Sequence, residues 1–558
     1  MRKMKFLFLT VGLLTGLSSY SQQSAALAKM LQRRLASSTT NLVPETVGNT
    51  PSYWCTWSAQ NFATDSLSLV SSIGLGDHRI FSDNLTEEAV FKNPGWQQYI
   101  PQSIRKDLFL VFDVGWDIPG GTVKDKSKFI LGTLNVATDK FPGMTGTPAE
   151  RLKKLNELTR SFGWKGAGLW IAAQTEMDSR GAKDISDEEV EGYFRERARW
   201  CKVAGIDYWK VDYGSRGGSN EFRQMLTRVA AEEAPELLVE NGRGSGPLND
   251  EECPWDTKNF HGQGRYLSWD DGAILKKAVS LLQFSDVLRT YDVTAQLSIA
   301  TTIDRVAQIL AQIKTPVPSK GIINCEDEMY VGAALGCAVG IMRHPLFISV
   351  KGNDYNPLKV NRSMDEVTRA VRWQRIAPAF KAGQVGTLLD TAILKDTWFF
   401  RKGDSWAAWM IGKTGMQAAP AIVARGLALP VVKGKSVPYV LASKNPNGAV
   451  TIATLQRVDA KRNFYFPHAA ITLAIGDADN VGIFGEYQSL TLQHNSNKPM
   501  KIWAQDLAGN NAIDITDLVK QSSNKITLSG LLLQKLGTMQ ATKGDVSEPG
   551  LLLVLKAQ

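Results

Sequence analysis

Short apolar runs alternate with amphipathic helical segments through the first two thirds of the chain, and few folds accommodate that rhythm. Leu108–Asp113 reads as a strand, Pro148–Phe162 as a helix, Lys165–Ile171 as a strand and Asp187–Ala204 as a helix. Ile206–Asp212 and Leu237–Glu240 follow as strands around a helix at Glu221–Ala234, then a strand or strand end at Phe284–Leu288 and a helix at Leu297–Ile313. Repeated strand–helix–strand units build a parallel sheet, and over roughly 300 residues a closed (β/α)8 TIM barrel is the expected form. Local chemistry marks the joints. Thr147, Pro148 and Glu150 supply an N-cap, a first helical proline and a capping box, and Leu152, Leu155 and Leu158 share a helix face. Gly205 and Gly214 bracket the strand between them.

Beyond about residue 385 the texture changes. Asp396–Arg401, Trp406–Ile411, Tyr439–Ala442, Ile471–Ile475 and Ser489–Gln493 read as strands separated by Gly, Asn and Asp turns. That pattern predicts a C-terminal antiparallel β-sandwich. A chain of 558 residues exceeds one hydrophobic core. The expected organisation is a signal peptide over 1–22, a leader over 23–50, the barrel over 51–382 and the sandwich over 383–558.

The signal peptide is read from charge and hydropathy. Arg2, Lys3 and Lys5 precede the apolar Phe6–Leu17, and Ser19 and Ser21 place small residues before Gln22. No cysteine stands there to carry a lipid, and no later stretch offers the ~18 apolar residues that span a bilayer. The expectation is an exported protein, periplasmic or secreted. The formal charge is +9, and three of its cations lie in the signal peptide, so +6 remains. The remaining Lys and Arg are scattered among acids, which argues against a nucleic-acid partner. Five cysteines and five histidines are dispersed, with no CxxC or Cys/His cluster. No disulfide framework, metal or other cofactor is expected.

Ile206–Gly214 concentrates the chemistry. Lys210 and Asp212 are two apart in a strand, so they share a face at its C-terminal end, where barrel enzymes place their sites. A cation there keeps a carboxylate ionised, as a nucleophile requires. The competing reading is a salt bridge that only fixes the barrel. Further acids end other strands at Asp113 and Glu240, with Asp292 beyond Phe284–Leu288. Trp54, Trp57, Trp116, Trp170, Tyr213 and Tyr291 lie around them. Carboxylates bind hydroxyl pairs and ring faces cover the apolar side of a pyranose, so the set predicts a carbohydrate site.

In order along residues 50–350 the chain resembles glycoside hydrolase family 27 and its relatives in family 36, the α-galactosidases. Ser52-Tyr53-Trp54-Cys55-Thr56-Trp57 is similar to the family's opening strand, and Phe112-Asp113-Val114-Gly115-Trp116 to its D-D-x-W strand end. Lys140-Phe141-Pro142-Gly143-Met144 resembles its K-F-P-x-G-M loop, one residue shorter. Gly168-Leu169-Trp170 is similar to G-I-Y or G-I-W, and Tyr208-Trp209-Lys210-Val211-Asp212 to the nucleophile strand Y-x-K-x-D. Val239-Glu240 sits at C-E-W, Arg289-Thr290-Tyr291-Asp292-Val293 at R-x-x-D-[IV], and Glu328-Met329 with Pro345-Leu346 at D-M-L … A-P-L.

The resemblance implies a retaining exo-glycosidase acting on terminal α-galactosyl residues. Asp212 would be the nucleophile and Asp292 the acid/base. Trp57, Asp113, Trp116, Trp170, Lys210, Tyr213, Glu240 and Arg289 would bind substrate, Arg289 through a sugar hydroxyl. Two departures keep alternatives open. Val114 replaces the family's second acid, which with its neighbour grips the 4- and 6-hydroxyls of galactose, although Asp117 lies nearby. N-acetylgalactosamine or β-L-arabinopyranose are therefore rival glycones. The family's N-H-W-R is replaced by Asp286-Val287-Leu288-Arg289, and family 36 carries an S-D pair near Ser285-Asp286, so Asp286 rivals Asp292. A non-catalytic carbohydrate-binding barrel is the reading from another class.

Overall fold

The computed structural model describes residues 22–64, 82–119, 132–179, 185–242, 272–290, 298–313, 320–343, 363–399, 414–459 and 464–558. Eight strands form one all-parallel sheet: β1 (Tyr53–Cys55), β2 (Phe109–Phe112), β3 (Gly166–Ile171), β4 (Tyr208–Val211), β5 (Leu238–Asn241), β6 (Val287–Arg289), β7 (Ile322–Asn324) and β8 (Gly340–Ile341). They pair in chain order, and β8 returns to β1. The last seam is closed at Ala338. Its N–H donates to Ile323 O and its carbonyl accepts from Cys325 N–H, both at 2.9 Å. The expected (β/α)8 barrel is therefore present.

Helices α1 (Pro148–Ser161), α2 (Asp187–Ala204), α3 (Asn220–Glu233), α4 (Gly272–Phe284), α5 (Ser298–Ala311) and α6 (Met329–Leu335) separate the later strands. The capping box of α1 forms as expected between Thr147 and Glu150. Its buried face runs Leu152, Leu155, Asn156, Thr159, and Leu158 is only half-buried. A strict three-residue spacing drifts off a 3.6-residue helix, which explains the difference. Asn156 is buried for a reason. It donates to Ala204 O (3.0 Å) and Gly205 O (2.6 Å) and accepts from Ala167 N–H (2.9 Å). One side chain thus fixes the start of β3 against the turn that launches β4. Gly205 takes the left-handed φ of 64° that ends α2. Phe284, expected in a strand, is instead the last residue of α4.

Alternation sets what each strand faces. Trp209 and Val211 of β4 point outward into the main core with the helices, whereas Tyr208 packs inside the barrel with Tyr53, Phe109 and Val287. Each fully buried apolar side chain of this size contributes about 1.5–3 kcal/mol relative to exposure.

The C-terminal part is a two-sheet sandwich with its own core, including Val440, Ile452, Ile471, Leu490 and Leu553. One sheet has eight strands and the other five. The sheets are mixed rather than antiparallel. Ile422–Arg425 runs parallel to Tyr439–Lys444, Val450–Leu455 to Asn480–Phe484, and Ala470–Gly476 to Ser489–His494. Each pair is made by a chain that leaves its sheet, adds a strand to the opposite one and returns, a crossover that strand propensity does not encode. The expected strand at 406–411 lies outside the described residues, while Ile393–Phe399 pairs with Thr414–Pro420.

Helix α7 (Met364–Trp373) clamps barrel to sandwich. Arg369, fully buried, reaches Asp506 of the sandwich at 2.9 Å. Trp373 donates to Thr451 at 3.0 Å. Residues 22–36 form a helix laid on the sandwich, with Leu31 in its core and Arg34 paired to Asp517 at 2.6 Å. No helix among the described residues is long and apolar enough to cross a membrane.

Candidate active site

In parallel neighbours, residues in register point the same way. Trp170 is in register with Lys210, and Lys210 with Glu240, so all three face the barrel interior. Asp212, the residue after β4, continues that face to the C-terminal mouth. The mouth is where barrel side chains meet open space, and the Asp212 side chain is 13% exposed.

Lys210 and Asp212 do share a face, but they are not direct partners. Lys210 Nζ, fully buried, donates to Asp113 Oδ2 at 3.0 Å. Asp212 Oδ1 accepts instead from Arg289 Nη2 at 3.0 Å, and its Oδ2 from the Trp170 indole N–H at 2.9 Å. Burial alone would push the Asp212 carboxyl up; the charges of Arg289 and Lys210 and these hydrogen bonds outweigh it and hold the pKa at about 2. Arg289, expected to bind a sugar hydroxyl, therefore spends its fork on protein acids. Its Nε lies 3.5 Å from Glu240 and its Nη1 3.8 Å from Glu326.

Asp113 is engaged on both oxygens. Besides Lys210, its carboxylate accepts from the Cys55 thiol (2.9 Å) and the Val114 N–H (2.8 Å). Glu240 is also fully buried. It accepts from Tyr208 (2.7 Å) and Asn324 (2.6 Å) and lies 3.2 Å from the Tyr53 hydroxyl, so it belongs to the floor of the site rather than its opening. Above this charged layer Val114, Trp170 and Ala172 form an apolar patch, joined by half-buried Trp57 and Tyr213. Trp170 and Tyr213 meet edge to face at 5.8 Å.

Other predicted residues lie elsewhere. Trp116 is fully buried behind the strands, its indole N–H donating to Trp170 O at 2.8 Å. Asp117 turns into a short pairing of Asp117–Pro119 with Gly132–Val136, accepts from Leu134 N–H at 2.7 Å, and leaves the missing second acid unreplaced. Its carboxylate sits where a Cβ on Gly132 would be, 1.9 Å from Oδ1, so only glycine fits there. Asp286 precedes β6, at the barrel end opposite Asp212, and accepts from Val239 N–H at 2.9 Å. It caps a strand and is out of reach of the mouth. Tyr291 and Asp292 lie outside the described residues.

Glu326 was not anticipated. It follows Ile322-Ile323-Asn324, the same apolar-run-then-acid signal that marked Asp113 and Asp212, but in a strand of only three residues. Among the described residues no cluster of metal ligands occurs, and Cys55, Cys201, Cys325 and Cys337 are free thiols.

No family model matches the chain, and no curated protein matches it. Among solved structures it is similar to a GH27 β-L-arabinopyranosidase from Geobacillus stearothermophilus, at 10% identity and a TM-score of 0.38, covering 91% of this chain and 96% of that one. It is also similar to a Bacteroides fragilis protein assigned as an α-galactosidase (11%, TM-score 0.37, covering 91% and 80%). A Bacillus halodurans protein assigned as an α-N-acetylgalactosaminidase overlaps at 11% and 0.35, covering 93% and 100%. Overlaps this slight say nothing about chemistry; the fold rests on the strand order and the site on its contacts.

Proposed function

We propose that this chain is a retaining exo-glycosidase of the α-galactosidase type, acting on a terminal galactose-like sugar by double displacement. The observation that supports it is Asp212: an ionised carboxylate at the mouth of a (β/α)8 barrel, oriented through both oxygens by Arg289 and Trp170. In this reading Asp212 attacks the anomeric carbon while protonated Asp292 donates to the leaving oxygen. The resulting glycosyl ester is hydrolysed by water that Asp292 activates. Trp57 and Tyr213 would cover the apolar side of the ring. The basic and apolar signal-like stretch over 1–22 supports export to the periplasm or beyond.

A second reading keeps the mechanism and changes the glycone. Asp113 has Lys210, Cys55 and the Val114 N–H on its carboxylate, and Val114 offers no second acid. A sugar lacking the C6 group, such as β-L-arabinopyranose, needs no grip there. Hydrolysis of a panel of p-nitrophenyl glycosides tests both readings. α-Galactoside cleavage supports the first, preference for β-L-arabinopyranoside the second, and no cleavage of any glycoside contradicts both.

A further inference from the structure

Four carboxyl groups and two cations share the barrel interior beneath the mouth. Asp113, Asp212, Glu240 and Glu326 face Lys210 and Arg289, and none of these side chains is more than 13% exposed. An unneutralised buried charge is costly, and four acids outnumber two cations, so at least one acid in the set is expected to carry a proton. Hydrogen-bond geometry indicates which. The Tyr53 hydroxyl lies 3.2 Å from Glu240 Oε1 and 3.1 Å from Glu326 Oε1, and it has one proton to give. Glu240 already accepts from Tyr208 and Asn324 and lies nearer to Arg289, so it is placed to accept from Tyr53 as well. Tyr53 can then donate to Glu240 while a protonated Glu326 donates to the Tyr53 oxygen, and both contacts are satisfied.

We propose that Glu326 is a proton-bearing positioning residue that shares Arg289 with Asp212, so that the charge on Asp212 sets the proton on Glu326. While Asp212 is ionised it neutralises Arg289, and Glu326 keeps its proton. When Asp212 is uncharged, as an ester or as Asn, the same guanidinium stabilises ionised Glu326, whose proton passes to solvent. The ionisable groups facing Glu326 are Tyr53 from β1, Tyr208 and Lys210 from β4, Glu240 from β5, Arg289 from β6 and the adjacent Asp327. Burial pushes the Glu326 carboxyl up to about 7, with Arg289 and Lys210 opposing and Asp327 and Glu240 adding to it. The catalytic meaning of this coupling rests on the glycosidase reading; the coupling itself does not.

The test separates the two. The full chain, labelled with ¹³C at glutamate carboxyls, is titrated by NMR as wild type, Glu326→Gln and Asp212→Asn. The expected result is a resonance titrating close to pH 7, absent from Glu326→Gln, whose midpoint falls by at least about one pH unit in Asp212→Asn. Should Glu326→Gln not fold, Glu326→Asp removes the same resonance, and the Asp212→Asn shift is read without either. The absence of any such resonance, or a midpoint unmoved in Asp212→Asn, overturns the proposal. Turnover is read in parallel on whichever aryl glycoside the wild type cleaves. Glu326→Gln should lose the ionisation near pH 7 from the kcat/KM profile, which a mere packing role would leave in place. A wild type that cleaves nothing while the coupling persists defeats the glycosidase reading alone. A wild type that turns over without the coupling defeats the Glu326 proposal alone.

Discussion

Arg289 at the end of β6 reaches past β5 to Asp212 beyond β4, placing its Nη2 3.0 Å from Oδ1. The contact crosses the barrel mouth and skips the neighbouring strand, whose Glu240 lies farther from the same guanidinium. A planar fork can serve several acids at once; an ammonium is a point charge and cannot. Arg289→Lys should therefore weaken the hold on Asp212 and let its pKa rise from about 2 toward the ordinary carboxylate range. The acid limb of the kcat/KM profile should move up by about one pH unit or more, with kcat at least about tenfold lower. An unmoved acid limb would show that Arg289 does not set this ionisation.

Asp286 and Asp292 can be told apart by chemistry. A missing general acid hurts poor leaving groups most, and azide can replace the base in the second step. Asp292→Ala should retain far more activity on an activated aryl glycoside than on a disaccharide, and azide should rescue it. Asp286→Ala should show neither effect. It should lose only stability, on the order of 1–3 kcal/mol, because the Val239 N–H loses its acceptor. Comparing rates on the two substrate classes with and without azide decides it, and rescue of Asp286→Ala instead would reverse the assignment.

Asp117 gives a pH prediction with a definite sign. Burial pushes its folded pKa up to about 7, against the opposing Leu134 N–H and the charges of Lys140 and Arg197. An unfolded aspartate titrates near ~3.9, so between about pH 4 and 7 the folded chain holds a proton that the unfolded chain has lost. Stability from this group is present at the acid end and falls as pH rises, by up to about 1.4 kcal/mol per pH unit. Asp117→Asn keeps the acceptor for Leu134 and removes the titration. Chemical denaturation at pH 4.5 and 7 should show less loss with rising pH in the variant than in wild type, and parallel behaviour would refute the buried proton.

The barrel was legible because its elements carry strong periods and joints: the capping box at Thr147, the left-handed Gly205, and acids just past apolar runs at Asp113 and Asp212. The partners of those acids were not. Strand alternation places Lys210 and Asp212 on one face, but it does not rank a neighbour two residues away against Arg289 two strands away. Trp116 looked like part of the mouth by its spacing from Asp113. The chain turns there toward the pairing that starts at Asp117, and the ring swings behind the sheet. The sandwich was visible as strands but not as mixed sheets, since parallel neighbours arise from crossovers between layers rather than from the strands themselves.

A buried ion pair crosses the seam between barrel and sandwich. Arg369 and Asp506 are both fully buried and form two hydrogen bonds, at 2.9 and 3.3 Å. Such a pair adds little over an apolar replacement, yet removing one partner leaves a buried charge. Asp506→Ala should cost about 3–5 kcal/mol in denaturant unfolding, while the double variant Arg369→Met with Asp506→Leu should recover much of that loss. A single variant as stable as wild type would mean that the pair does not hold the seam.

Asp212 as nucleophile is open to direct chemical capture. A glycoside with a good leaving group and a fluorine beside the anomeric centre forms its ester with the enzyme and breaks down slowly. Intact mass measurement should show one added glycosyl unit, and peptide mapping should place it on Asp212. Asp212→Asn should take up none and should turn over at least ~10⁴-fold more slowly while remaining folded. Label on another residue, or steady turnover of ordinary glycosides by folded Asp212→Asn, would contradict the assignment.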